Sequence, residues 1–261
     1  MTFHTATPPR PDQTDIANKP LILATDLDGT FLGGSEAERK SFYEWIESQR
    51  NQVGLIFVTG RDPGFISDLT KKRGVPRPDY VVADVGTTVA KMGEDHLLSP
   101  MVNLEAPIEA AWGDASSRVF PMLHHARGLK LQSSGFRYRM SYDLDPADFD
   151  DSVIEKLEEM GLDVLISDNR FFDVLPKGVS KGPTLTRLVD HLGLDHARVL
   201  TAGDTLNDLS MLTAGVRAVA VGKSEPALIE QLGGHDSAYL ARQEGVAGIA
   251  EAILHYGFLN K

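Results

Sequence analysis

Asp26-Leu27-Asp28-Gly29-Thr30 follows the apolar run Leu21-Ile22-Leu23-Ala24 and sets two carboxylates one residue apart. Such a run reads as a buried strand that Gly29 brings to an end. Side chains emerging at the carboxyl end of a strand in an open α/β sheet stand where these sheets bind ligands. Two chemistries suit the pair: one carboxylate attacks while its neighbour carries protons, or both face a divalent cation. A strand ending in a plain polar turn uses the same residue types. Three further segments bear on the choice.

Thr59-Gly60-Arg61-Asp62 follows a second apolar run. A hydroxyl, a glycine that lets backbone approach closely and a cation of fixed geometry make a phosphate cradle, although Thr-Gly also serves ordinary turns. Lys181, in Gly178-Val179-Ser180-Lys181-Gly182, opens a helix with Ser180 as the expected N-cap. An ammonium is ill placed at a helix start, which favours anions, and a bound phosphate meeting both would resolve the conflict. The plainer reading is a lysine facing solvent. Gly203-Asp204-Thr205-Leu206-Asn207-Asp208 gathers carboxylates, hydroxyl and amide at a strand-to-helix turn. These are hard oxygen donors suited to Mg²⁺, whereas helix capping by Asp204 accounts for only one of them.

The elements that must position these groups alternate. Strands are expected at 21–25, 53–58 and 80–83, with helices at 35–49 and about 63–73. Ser35 with Glu38 forms a capping box, and Pro63 occupies a first turn. This β-α-β-α-β order predicts a parallel sheet with right-handed crossovers, which brings the polar strand ends to one edge. From about 86 to 176 the pattern is less regular. Strands at 137–141, 164–166 and 171–175 and a helix at about 146–160 read as an inserted α+β unit. Alternation resumes with a helix at 181–192, strands at 199–201 and 218–221, and helices at 206–213 and near 226 and 246. The expected division is a flexible arm over 1–20, a core from 21–85 and 177–261, and an inserted unit over 86–176.

The chain has 261 residues, 42% hydrophobic and 24% charged, the makeup of an ordinary soluble protein. A net charge of −11 argues against nucleic acid or an anionic membrane surface as a general partner. No apolar run approaches the roughly 20 residues that span a bilayer. The first residues lack the apolar core of a signal peptide. The absence of cysteine excludes disulfides, thiolate metal sites and a thiol nucleophile. A cytoplasmic location is expected. His124-His125 lacks the i, i+4 spacing of a zinc pair and reads as a surface turn, and His191, His196, His235 and His255 show no ligand spacing. Phe42, Trp45 and Ile46 share a helix face and belong to the core, while residues 155–159 form a solvated face around Leu157.

The series DLDGT, VTGR, a lysine at a helix start and GDTLND resembles the four motifs of the haloacid dehalogenase superfamily of phosphotransferases. The insertion resembles that superfamily's type-II cap, and the resemblance spans nearly the whole chain after about residue 20. Pro78-Asp79-Tyr80 leading to Val85-Gly86-Thr87-Thr88, and Phe172-Asp173-Val174-Leu175-Pro176 followed by Lys181-Gly182, resemble the sucrose-phosphate phosphatase-like branch.

The resemblance implies an α/β, Rossmann-like parallel core with an inserted α+β cap, and a Mg²⁺-dependent phosphatase for a sugar phosphate, a disaccharide or glycosyl-polyol ester. Asp26 would be the nucleophile that becomes an aspartyl-phosphate, and Asp28 the acid and base. Thr59 and Lys181 would hold phosphoryl oxygens. Gly60, Arg61, Gly86, Thr87 and Asn207 would complete the substrate site. Asp26, the Asp28 carbonyl, Asp204 and Asp208 would hold Mg²⁺. Elementary electrostatics agrees, since a carboxylate attacking a phosphate dianion needs cations to neutralise the repulsion. Arg137, Arg139, Asn169 and Arg170 could contact sugar, although each arginine alone reads as an ordinary surface residue. Cap closure would hinge near 84–86 and 176–178. Two alternatives stand beside this reading: a phosphomutase of the phosphomannomutase type, and a non-catalytic phosphosugar-binding protein.

Overall fold

The computed structural model describes residues 14–72, 74–133, 135–235 and 238–258. Its strands, in chain order, are β1 Leu21–Thr25, β2 Val53–Val58, β3 Tyr80–Ala83, β4 Thr88–Met92, β5 Leu98–Pro100, β6 Leu129–Leu131, β7 Met140–Leu144, β8 Leu162–Ser167, β9 Phe171–Pro176, β10 Val199–Gly203, β11 Arg217–Gly222 and β12 Ala238–Glu244. They form an eight-stranded sheet, ordered β12-β11-β10-β1-β2-β3-β4-β5, and a four-stranded sheet, ordered β6-β7-β9-β8. The large sheet is parallel from β12 to β3, and β4 and β5 add to it antiparallel.

The parallel strands are apolar throughout because helices cover both faces, as buried parallel sheets require. Alternation along β1 assigns the faces. Leu21 and Leu23 enter a cluster with Phe31, Phe42, Ile46 and Phe57. Ile22 and Ala24 enter another with Leu185, Leu188 and Met211. Each fully buried side chain of this kind contributes about 1.5–3 kcal/mol. The helix Glu36–Ser48 begins with the expected box, in which Ser35 and Glu38 cap each other. β1 lies between β2 and β10, so its carboxyl end opens the crevice at the switch point of the sheet.

Several elements depart from the sequence expectations. Residues 14–20 of the expected arm pack: Thr14–Ala17 is a helical turn, Ile16 is buried, and Lys19 pairs with Asp79 at 3.7 Å. Residues 1–13, the rest of that arm, lie outside the described residues, as does Arg73 at the end of the expected second helix, which here spans Pro63–Thr70. The large sheet does not end at 85, because β4 and β5 extend it to residue 100. The chain passes to the small sheet through the helices Val102–Trp112 and Ala115–Leu123, which contain Pro107 and Pro121 and therefore read as irregular in sequence. In the small sheet, the strand expected at 137–141 begins at Met140, the helix expected at 146–160 is Ser152–Glu159, and β6 had no sequence counterpart. His124 and His125 occupy an exposed turn, and Leu157 is buried between exposed glutamates. Among the described residues, no helix is long and apolar enough to cross a membrane.

Candidate active site

Asp26 continues β1, its amide donating to the Ala202 carbonyl of β10 at 2.8 Å. The chain then turns through Leu27–Phe31, with Gly29 at φ +80°. A Cβ on Gly29 would stand 2.1 Å from Asp204 Oδ2, so the turn requires glycine by conformation and by space. Thr30 Oγ1 donates to Asp204 Oδ1 at 2.7 Å and thereby ties the first motif to the last.

Lys181 sits at the centre. It opens the helix Lys181–His191 and is 1% exposed, contrary to the solvent-facing reading. Its Nζ donates to Asp26 Oδ1 at 2.8 Å, Asn207 Oδ1 at 2.6 Å and Asp208 Oδ1 at 2.6 Å. Three acceptors match the three donors of an ammonium, which explains how the charge is tolerated at a helix start. Ser180 holds the N-cap position but makes no side-chain cap bond; its hydroxyl instead pairs with that of Ser210 at 3.1 Å. Asp208 Oδ2 accepts from the amides of Asp204 and Thr205 at 2.9 and 3.0 Å, fixing the loop that carries Asp204.

One oxygen each from Asp26, Asp204 and Asp208 lies within 4.8 Å of the others. The set is all carboxylate and suits a hard divalent cation. The Asp28 side chain lies outside this set. It is clamped by Arg61, whose Nε and Nη2 donate to its two oxygens at 2.7 and 2.8 Å. Burial pushes Asp26 well above the usual carboxylate range against the pull of Lys181, with Asp208 and Asp204 adding to the rise. Burial and Asp208 push Asp204 up to about 7. Burial opposes the Lys181 charge, yet Asp208 and Asp26 outweigh it and raise its pKa. Three carboxylates around one ammonium leave surplus negative charge, which a cation would relieve.

Thr59, at the end of β2, is buried beneath the loop; its amide donates to Val82 O and its Oγ1 accepts from the Arg61 amide at 3.2 Å. Gly60 and Arg61 line a cleft of about 570 Å³ with Asp26, Asp28, Asp204 and Asn207. Gly86 and Thr87, expected at the substrate, instead form the wall behind it. Gly86 packs so tightly that a Cβ would stand 2.4 Å from the Ser180 carbonyl. The Thr87 hydroxyl is spent on Asp84 O at 3.0 Å.

The facing wall comes from the small sheet and its approaches: Gln132, Arg139, Ser167, Asp168, Arg170 and Phe171. Of the four residues expected to meet sugar, Arg139 and Arg170 reach the cleft, while Arg137 pairs with buried Glu105 at 2.9 Å. Asn169 forms, with Asp168, the left-handed turn between β8 and β9. Arg139 is not a surface arginine: it is 4% exposed and paired with Asp84 and Asp173 at 3.0 and 3.2 Å. Its one sequence signal was the pair of aspartates in apolar surroundings, Asp84 just after β3 and Asp173 inside β9.

Residues 19–257 match the family model described as sucrose-6F-phosphate phosphohydrolase. The chain belongs to that family. Its fold is the one shared by haloacid dehalogenase-like hydrolases. The sucrose-phosphatase of Synechocystis sp. PCC6803, solved with sucrose and phosphate, superposes with a TM-score of 0.80 at 27% identity, covering 92% of this chain and 99% of that one. The mannosylfructose-phosphate phosphatase of Agrobacterium fabrum is 25% identical over 92% of this chain and 98% of its own length. A glucosylglycerol-phosphate synthase of Pseudomonas anguilliseptica is 39% identical over 92% of this chain, which spans only 31% of that protein.

Proposed function

We propose that this family member is a Mg²⁺-dependent phosphatase that hydrolyses the phosphate monoester of a glycosyl polyol or disaccharide. The observation that carries the reading is the contact of Lys181 with Asp26, Asn207 and Asp208 on the floor of a cleft whose facing wall is polar. The cleft volume lies in the range of small-molecule sites. Gln132, Ser167, Asp168 and Arg170 offer donors and acceptors suited to hydroxyl groups.

In the first half-reaction, an Asp26 carboxylate oxygen forms a bond to phosphorus as the sugar oxygen–phosphorus bond breaks. Asp28, which takes up a proton from solvent when Arg61 releases it, gives that proton to the departing sugar oxygen. In the second, water attacks phosphorus, Asp28 takes its proton, and the Asp26–phosphorus bond breaks to release phosphate. Lys181 remains charged and offsets the negative charge of Asp26 and the transferring group, while Thr59 and Asn207 orient it. Arg61 holds Asp28 before substrate arrives and turns to the ester when Asp28 is released. Mg²⁺ held by Asp26, Asp204, Asp208 and the Asp28 carbonyl would supply further charge neutralisation.

Glucosylglycerol phosphate stands first among substrates, supported by the 39% identity to a protein named for its synthesis. Mannosylfructose phosphate and sucrose 6-phosphate follow. A cytoplasmic site of action is in keeping with a chain that has no cysteine. Phosphate release from these three esters, glucose 6-phosphate and fructose 6-phosphate tests the reading. One glycosyl ester should exceed both monosaccharide phosphates by about 100-fold in kcat/KM, because a wall built to pair hydroxyls penalises substrates that leave it unpaired. Equal rates on all five would overturn the substrate class.

A further inference from the structure

Arg139 makes a set of contacts that the reaction above does not use. Nε and Nη2 donate to Asp84 Oδ1 at 3.3 and 3.0 Å, and Nη2 also donates to the Gly60 carbonyl at 3.1 Å. Nη1 donates to Asp173 Oδ1 at 3.2 Å and to the Ser141 hydroxyl. All five guanidinium N–H groups thus have an acceptor. Asp173 and Ser141 belong to β9 and β7 of the small sheet, whereas Asp84 and Gly60 follow β3 and β2 of the large one. One buried side chain therefore bolts the small sheet to the two loops beside the attacking carboxylate.

One of the two loops it grips, the turn at 84–86, is under strain. Asp84 and Val85 have φ of +53° and +57°, and Gly86 follows at +102°. For a β-branched valine this is an outlier that costs of order 1–3 kcal/mol. The strained turn reaches both sides of the site. The Asp84 amide donates to Arg61 O and the Val85 amide to Thr59 O, while Gly86 O accepts from Thr184 of the helix that Lys181 opens. A buried guanidinium between two carboxylates is a poor way to gain stability alone, since apolar replacements of such groups are often neutral or better.

We propose that Arg139 is a positioning residue: through Asp84 and the Gly60 carbonyl it sets the Thr59-Gly60-Arg61 loop only when the small sheet is docked. Docking over the substrate and completion of the phosphate cradle then become one event. This rests on the phosphatase reading, and its test is built to separate the two.

Arg139→Gln, Arg139→Lys and Arg139→Ala are compared with wild type on p-nitrophenyl phosphate and glucosylglycerol phosphate, with thermal unfolding alongside. Expected is a loss of about 100-fold in kcat for Arg139→Gln with KM within about threefold, on either substrate, because the interaction acts in the transition state. Guanidinium chloride at millimolar concentration should restore part of the Arg139→Ala rate, and ammonium chloride should not. Amide hydrogen exchange in the free protein should accelerate at residues 60–61 and 84–86 in Arg139→Gln and stay unchanged in β12. Unchanged kcat in the folded variant, or unchanged exchange at those amides, would overturn the proposal. A wild type that hydrolyses p-nitrophenyl phosphate but no glycosyl ester would overturn the substrate reading and leave the Arg139 comparison intact. If wild type hydrolyses neither, the phosphatase reading falls, and exchange still decides whether Arg139 sets the loop.

Discussion

Lys181 Nζ lies 2.8 Å from Asp26 Oδ1 across 155 residues of chain, with both side chains out of solvent. The pair joins the end of the central strand to the start of a helix that follows the small sheet. The same ammonium is also paired with Asp208 at 2.6 Å.

Replacing Lys181 should therefore damage stability and activity together. Lys181→Met leaves Asp26 and Asp208 buried without their cation, a change that typically costs about 3–5 kcal/mol. Denaturant unfolding of the metal-free protein at neutral pH should show that loss, and phosphate release should fall by at least about 1,000-fold. A variant as stable and active as wild type would contradict the assigned role.

Arg61→Ala should separate the two effects. The Arg61–Asp28 pair is about half exposed on both sides, so its removal should cost no more than about 1 kcal/mol. Turnover should still fall by about 10–100-fold, because the ester loses the cation that turns to it when Asp28 is released. Thermal unfolding beside steady-state kinetics reads both numbers.

Stability without metal should depend on pH in a defined direction. Asp204 is lifted to about 7 and Asp26 is lifted as well. Both folded values exceed the unfolded one, so between about pH 4 and 7 the folded state binds more protons than the unfolded chain. Their contribution is complete below about pH 4 and is lost as pH rises through about 7. In EDTA, Tm should fall by several degrees between about pH 5.5 and 8, and Mg²⁺ should restore it at the upper end. Asp204→Asn should flatten the dependence. A Tm that rises over this interval in EDTA would contradict the charge surplus.

Gly29→Ala should act on the carboxylate cluster rather than the core. Its Cβ would meet the Asp204 carboxylate, and φ of +80° adds backbone strain. Mg²⁺ titration followed by Tm should show affinity reduced by about 10-fold or more.

The parallel core and the central cluster were legible in sequence for one physical reason. Buried parallel strands are continuous apolar runs, and Asp26, Lys181, Asp204 and Asp208 stand directly beside strand or helix ends. What the sequence concealed was set by tertiary contact. β4 and β5 are short and join the large sheet by pairing with β3, which no local pattern reveals. Pro107 and Pro121 hid two helices. Gly86 and Thr87 were expected at the site through the family resemblance, yet the Thr87 hydroxyl and the Gly86 carbonyl are bonded to Asp84 O and Thr184 behind the cleft. Arg139 looked ordinary because its partners come from four separate segments.

The most direct test of the central claim is to trap phosphoryl on Asp26. Enzyme mixed with its best glycosyl phosphate and Mg²⁺ is quenched in acid within the first turnover, reduced with borohydride and digested for peptide mass analysis. An acyl phosphate is reduced to the alcohol, so the account predicts homoserine at position 26, absent in EDTA and absent in Asp26→Asn. Phosphate released in the first turnover with Asp26 unmodified, or with the modification at another carboxylate, would contradict it.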